Sequence, residues 1–166
     1  MKEEFQEKIA TKYPFMRRRP LKNPKVIDDL YSAFGMEFGD GWYQLIDDMC
    51  KEITNAFAEE KQEVSIVVDQ AKEKFGSLRF YYHFEGEPIY IHAFDILGPD
   101  SIKSNRIMPR DDSLHEKISE IVSRYEDKSE TICEICGCPG ELRTNVPWIR
   151  TLCINCHNKV NGKYFT

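Results

Sequence analysis

Four cysteines near the C-terminal end constrain this chain more than any other feature. Cys133 and Cys136 stand in CEIC, Cys153 and Cys156 in CINC, with sixteen residues between the pairs. Two C-x-x-C pairs at this separation fit one tetrahedral zinc ion. Each pair forms a tight knuckle that brings two sulfurs to one metal. The intervening residues are enough for a short two-stranded excursion that returns the second knuckle to the first. Four thiolates saturate zinc and leave no position for water, so such a site is structural rather than catalytic.

Two neighbours compete for the same metal. Cys138 follows Cys136 too closely to complete the tetrahedron and reads as part of the knuckle turn. His157 adjoins Cys156 and is the alternative fourth ligand; C-x-x-C geometry favours Cys156. Cys153-Ile-Asn-Cys156-His157 also matches the c-type haem attachment pattern. That reading needs export, and the charged N-terminus MKEEFQEKIATKYPF has no apolar stretch of a signal peptide. It also leaves Cys133 and Cys136 unexplained. The expected compartment is the cytoplasm, where thiols stay reduced.

The chain has 166 residues, enough for one domain, read here as an α+β domain over 1–128 and a zinc-binding module over 129–166. No apolar run approaches a membrane span. Net charge is −5, but residues 1–30 carry eight Lys/Arg against five Asp/Glu, and the acidic excess lies in the middle. An acidic centre argues against wrapping a long duplex, which wants a broad basic face.

Phe5, Ile9 and Tyr13 recur four apart and predict a first helix stopped by Pro14. Arg17, Arg18 and Arg19 read as a solvated loop or as an anion or partner contact. Asn23-Pro24 reads as a helix start with an apolar stripe of Val26, Ile27, Leu30, Tyr31 and Phe34, ended by Gly35. Asp40 reads as the cap of a helix carrying Trp42, Leu45, Ile46, Met49, Ile53 and Phe57, with Cys50 as a small buried residue beside them. Alternation at Val64, Ile66 and Val68, then at Leu78, Phe80, Tyr82 and Phe84, predicts two strands, and Ile89, Ile91 and Ala93 a third. Together they imply a three-stranded antiparallel meander. Residues 97–111 have no period and read as a loop, and Ser113 to Glu116 as a capping box opening a helix. The fold class is therefore α+β, with a C-terminal zinc ribbon or treble-clef-like module.

Three places read as surfaces for a protein partner or an anionic ligand. The first is Trp42 in Gly39-Asp40-Gly41-Trp42, otherwise a core tryptophan. The second is Lys72, Lys74, Arg79, Tyr81 and His83 on the polar face of the hairpin, otherwise a solvated sheet face. The third is Arg143, Trp148 and Arg150 in the zinc excursion, otherwise packing of the module on the domain; this one suits nucleic acid through arginine and aromatic stacking. The four histidines are scattered, and no triad, phosphate loop or close carboxylate–histidine cluster is evident.

Leu152-Cys-Ile-Asn-Cys-His-Asn-Lys159 is similar to the zinc-bound end of HNH endonucleases. Residues 137–152 lack the Asp-His pair that supplies that family's base and metal ligand, so the resemblance implies at most a degenerate metal-dependent nuclease. A wider set of motifs resembles small uncharacterised proteins of bacteriophages and prophages. It comprises Gly39-Asp-Gly-Trp42 with Leu45-Ile46, Lys72-Glu-Lys-Phe-Gly76 with Leu78-Arg-Phe-Tyr81, Cys133-Glu-Ile-Cys-Gly137 with Pro139-Gly140, and Trp148-Ile-Arg-Thr-Leu-Cys153. The resemblance implies a phage-type protein of the host cytoplasm with a structural zinc and no known reaction. Members often carry histidine where Cys156 stands, which implies position 156 as the ligand and His157 as a spare. A non-enzymatic binding protein, in one case an inhibitor of a bacterial defence system, is the function that follows by analogy.

Overall fold

The structure, a computed structural model, describes residues 1–21, 29–87, 113–144 and 148–161. Asn23 as a helix cap, the strand through Ile89, Ile91 and Ala93, and the 97–111 segment lie outside the described residues.

Five α-helices, two short 3-10 helices and five strands are described. Helix α1 spans Glu3–Lys12 and α2 Leu30–Phe34; strand β1 is Met36–Glu37. Helix α3 spans Tyr43–Glu59, strands β2 and β3 span Ile66–Lys74 and Ser77–Phe84, and α4 spans Ser113–Ser129. Strands β4 and β5, Glu141–Arg143 and Arg150–Leu152, precede α5, Ile154–Asn161.

The α+β class holds, but the sheet differs from the expected meander. Its order is β1-β2-β3, with β2 and β3 antiparallel and β1 parallel to β2. The two residues of β1 give no period to read, so only tertiary pairing reveals them. Strand β2 also runs past the expected Val68. The register slips between Val68 and Gln70, a β-bulge that makes Asp69 the extra residue and breaks the alternation.

Burial follows the pleat. Ile66, Val68, Ala71, Leu78 and Phe80 are buried and join the core with Leu45, Ile46, Met49, Ile53 and Phe57 of α3 and Ile118, Val122 and Tyr125 of α4. Cys50 is fully buried there, and burial pushes its thiol well above the ordinary range. Helix α4 also covers the edge of β3. Ser129 Oγ accepts from the Leu78 N–H at 2.8 Å, and Glu126 Oε1 from the Phe80 N–H at 2.9 Å.

Three local readings are corrected. Helix α2 is capped by Asp29, whose carboxylate accepts from the Ser32 N–H at 2.9 Å, and its Leu30 and Phe34 face outward. Asp40 does not cap α3: it accepts from the Lys2 N–H at 2.7 Å, at the start of α1. Arg18 and Arg19 are partly exposed, but their guanidinium groups are bonded within the chain rather than standing free in a loop. Arg18 donates to the Ser32 and Ala33 carbonyls at the end of α2, and Arg19 joins Asp29 at 2.7 Å to the Val68 carbonyl at 3.0 Å.

Candidate metal centre

The sulfur atoms of Cys133, Cys136, Cys153 and Cys156 all lie within 4.8 Å of one another. Local backbone chemistry explains how. The chain doubles back over residues 131–140, with Cys133 N–H on the Cys138 carbonyl at 2.8 Å and Gly140 N–H on Thr131 at 2.9 Å. At its tip the Gly137 N–H donates to the Cys133 carbonyl at 2.8 Å, closing the first knuckle. Strands β4 and β5 form the two-stranded excursion, paired Glu141 to Leu152 and Arg143 to Arg150. Cys153 immediately precedes α5, and Cys156 lies in its first turn. Knuckle, hairpin, helix is the treble-clef order, and it separates this module from a zinc ribbon.

The donor set fits zinc. Zn–S bonds of about 2.3 Å in a tetrahedron place sulfurs about 3.8 Å apart; Cys136 and Cys153 Sγ are 3.6 Å apart. All six cysteines are free thiols. The Cys156 N–H, 3.4 Å from Cys153 Sγ, lowers that thiol to about 7 and favours the thiolate a metal needs. Burial pushes the Cys156 thiol up, so a cation there does the most to ionise it. Cys138 is exposed, and neither it nor the half-buried His157 belongs to the cluster; the fourth sulfur is that of Cys156.

The cluster is joined to the rest of the chain along a seam. The Gly41 N–H donates to the Glu134 carbonyl at 2.8 Å, the Gly39 N–H to Glu134 Oε1 at 2.9 Å, and the Trp42 indole N–H to the Ile132 carbonyl at 2.9 Å. Gly41 is there because nothing larger fits. A Cβ on it would stand 2.2 Å from the Cys133 carbonyl oxygen and 2.7 Å from the Cys136 nitrogen, both backbone atoms of the knuckle. On the other side, Thr151 Oγ1 donates to the Gly76 carbonyl at 2.6 Å, and the Trp148 indole to Glu73 Oε2 at 3.3 Å. Glu134 is buried with both carboxylate oxygens engaged, one by Gly39 and the other by the Arg150 guanidinium at 2.9 Å.

These contacts sort the expected surface residues. Trp42 is fully buried and carries no ligand surface, because its ring fills the core and its N–H is spent on Ile132. Arg150 is paired with Glu134 and Arg143 with Glu141 at 2.6 Å, so both guanidinium groups of the nucleic-acid reading have partners inside the chain. Lys72, Arg79 and Tyr81 do share the outward face of β2–β3: Lys72 pairs with Arg79 and Gln70 with Tyr81. Lys74 stands at the end of that face, its ammonium 5.4 Å from the Phe75 ring centre. Trp148 remains 70% exposed.

Sequence reading missed two histidine–carboxylate pairs. His83 Nδ1 is 2.9 Å from Asp69, which the bulge places beside it, and His115 Nε2 is 3.3 Å from Glu87. The second pair walls an open cavity of about 450 Å³ with Phe84, which stacks on His115 at 3.6 Å, and with Glu60 and Glu85. That cavity is at the far end of the hairpin from the cysteines, and among the described residues only the four cysteines form a cluster able to hold a metal. No described helix is long and apolar enough to cross a membrane. No family model, curated protein or solved structure matches the chain.

Proposed function

We propose that the chain is a zinc-containing binding protein without catalytic activity, whose metal is structural. The observation that carries this is the set of four sulfurs within 4.8 Å of one another. Four thiolates fill the coordination sphere of zinc, so the ion supplies neither an activated water nor a Lewis-acid position. Its work is to hold the knuckle against Gly39 and Gly41 and the β4–β5 hairpin against Gly76. The resemblance of the same motifs to bacteriophage proteins extends the reading to a host or phage macromolecule as the partner, a bacterial defence component being the concrete case.

Native mass spectrometry of protein purified without chelator tests the metal. One zinc per chain is expected, lost together with folded structure when the thiols are alkylated. Folded protein carrying no metal overturns the reading.

A further inference from the structure

We infer that Cys136 and Cys138 form a peroxide-oxidisable thiol pair, in which a ligand of the centre and a free thiol beside it close a disulfide and the metal is released. This rests on the reading of the centre as a zinc site and goes beyond it, because a purely structural centre needs only its four cysteines.

Cys138 is in an unusual place for a cysteine. Free cysteines are among the most often buried residues, and Cys50, the other cysteine outside the centre, is fully buried. Cys138 is instead a free and exposed thiol. It does not fill the core, and four other sulfurs make up the metal cluster. With packing and coordination both set aside, reactivity is the property of the thiol that remains.

The centre is also uneven toward solvent. Cys133 and Cys156 are buried and Cys153 is half-buried, whereas Cys136 is exposed. Exposure runs without a break over residues 135–139, so Cys136, Gly137 and Cys138 form one open strip at the tip of the knuckle. An oxidant arriving from water meets Cys136 before the other ligands. Oxidation-sensitive cysteines combine accessibility, thiolate character and a second thiol close by. Cys136 is exposed, a metal-coordinating thiol is deprotonated, and Cys138 stands two residues away.

The link between the two permits a bridge. With one residue between them, their α-carbons lie within about 7 Å, which is the reach of a disulfide. That residue is Gly137, whose φ of 76° bends the chain where a side chain would be strained. The Cys136 thiolate attacks one oxygen of hydrogen peroxide; the O–O bond breaks, Cys136 becomes a sulfenic acid and hydroxide leaves. The Cys138 thiol then attacks that sulfur. The S–S bond forms, the S–O bond breaks, and the thiol proton leaves with the hydroxyl as water. The two sulfurs together lose two electrons, and the peroxide gains them.

Withdrawing Cys136 leaves three sulfurs and loosens the knuckle tip. The 39–41 loop rests on that tip: a Cβ on Gly41 would be 2.5 Å from the Gly137 nitrogen and 2.7 Å from that of Cys136. Oxidation therefore acts on the seam between the centre and the body.

In the test, the zinc-loaded full chain is treated with equimolar hydrogen peroxide, and zinc release is followed with a chromophoric chelator. The protein is then quenched with iodoacetamide and cleaved after glutamate. Cleavage after Glu134 and Glu141 yields residues 135–141, whose two cysteines are Cys136 and Cys138. The expected result is that this peptide escapes alkylation and becomes two hydrogens lighter in step with zinc release. Dithiothreitol with added zinc should restore both. Cys138→Ser removes no ligand and should keep one zinc per chain. With the second thiol gone, dimedone trapping of the Cys136 sulfenic acid should rise severalfold over wild type. Zinc retained with both thiols reduced, zinc released while residues 135–141 are fully alkylated, or a disulfide joining other cysteines overturns the pair. So does equal dimedone labelling in variant and wild type. Each of these results leaves the structural zinc standing. A chain that carries no zinc before oxidation overturns the zinc reading and the thiol pair together.

Discussion

Phe75 and Gly41 show how much one residue decides here. Phe75 holds a left-handed φ of 54° in the turn between β2 and β3, a conformation asparagine tolerates better, so Phe75→Asn should raise stability by about 1 kcal/mol. This is read as a higher urea midpoint at unchanged slope. A lower midpoint would mean that the ring contributes to the fold more than its exposure indicates. Gly41→Ala should act in the opposite direction. Its Cβ meets only backbone atoms, with no flexible side chain to yield, so at least about 2 kcal/mol should be lost. Wild-type stability of that variant would show that the knuckle can withdraw from the 39–41 loop. The four-cysteine cluster was legible in the sequence because C-x-x-C spacing reports its own geometry. The roles of Trp42, Arg143 and Arg150 were not. A tryptophan or arginine reads alike whether its polar group meets solvent or, as here, Ile132, Glu141 and Glu134.

At the level of elements, the long helices were readable and the irregular pieces were not. Helices α3 and α4 announce themselves through apolar stripes over seventeen residues each. Strand β1 and the bulge at Asp69 exist only through pairing, so no local period encodes them. The α3–α4 contact also carries a pH-dependent link. The Arg124 guanidinium at 2.7 Å, then the Tyr125 hydroxyl at 2.6 Å, hold the Glu52 carboxyl below the ordinary carboxylate range. Because the folded value is depressed, the contribution is present above the unfolded value of about 4.3 and is lost as pH falls through the folded one. The pair is partly exposed, so Glu52→Gln should cost no more than about 1 kcal/mol at about pH 7, and nothing at about pH 2. Urea titrations at both values check this; an equal loss at both would assign the effect to packing rather than charge.

For the whole molecule, the motifs that lie far apart in the sequence meet along one seam. Gly39–Trp42 and Lys74–Gly76 flank the cysteine centre from two sides. The expected 129–166 module is thus bonded to the body through Glu134, Ile132 and Thr151. Zinc in small modules is worth on the order of 10 kcal/mol, so its removal should be felt beyond the cysteines. With Trp148 replaced by Phe, Trp42 is the remaining tryptophan, and excess EDTA should shift its emission to the red as the Ile132 contact opens. Unchanged Trp42 emission after complete metal removal would show that the body folds independently of the centre.

The coverage of β3 by α4 has a consequence for biosynthesis. Leu78 and Phe80 point amide hydrogens away from β2, and their acceptors, Ser129 and Glu126, belong to a helix encoded well downstream. A nascent chain therefore presents a formed hairpin with two unsilenced edge donors until residues 113–129 have left the ribosome. During that interval another strand can pair where α4 will later lie. The steps most exposed to self-association are those before α4 arrives, and a truncation that ends before Ser113 would keep the chain there permanently.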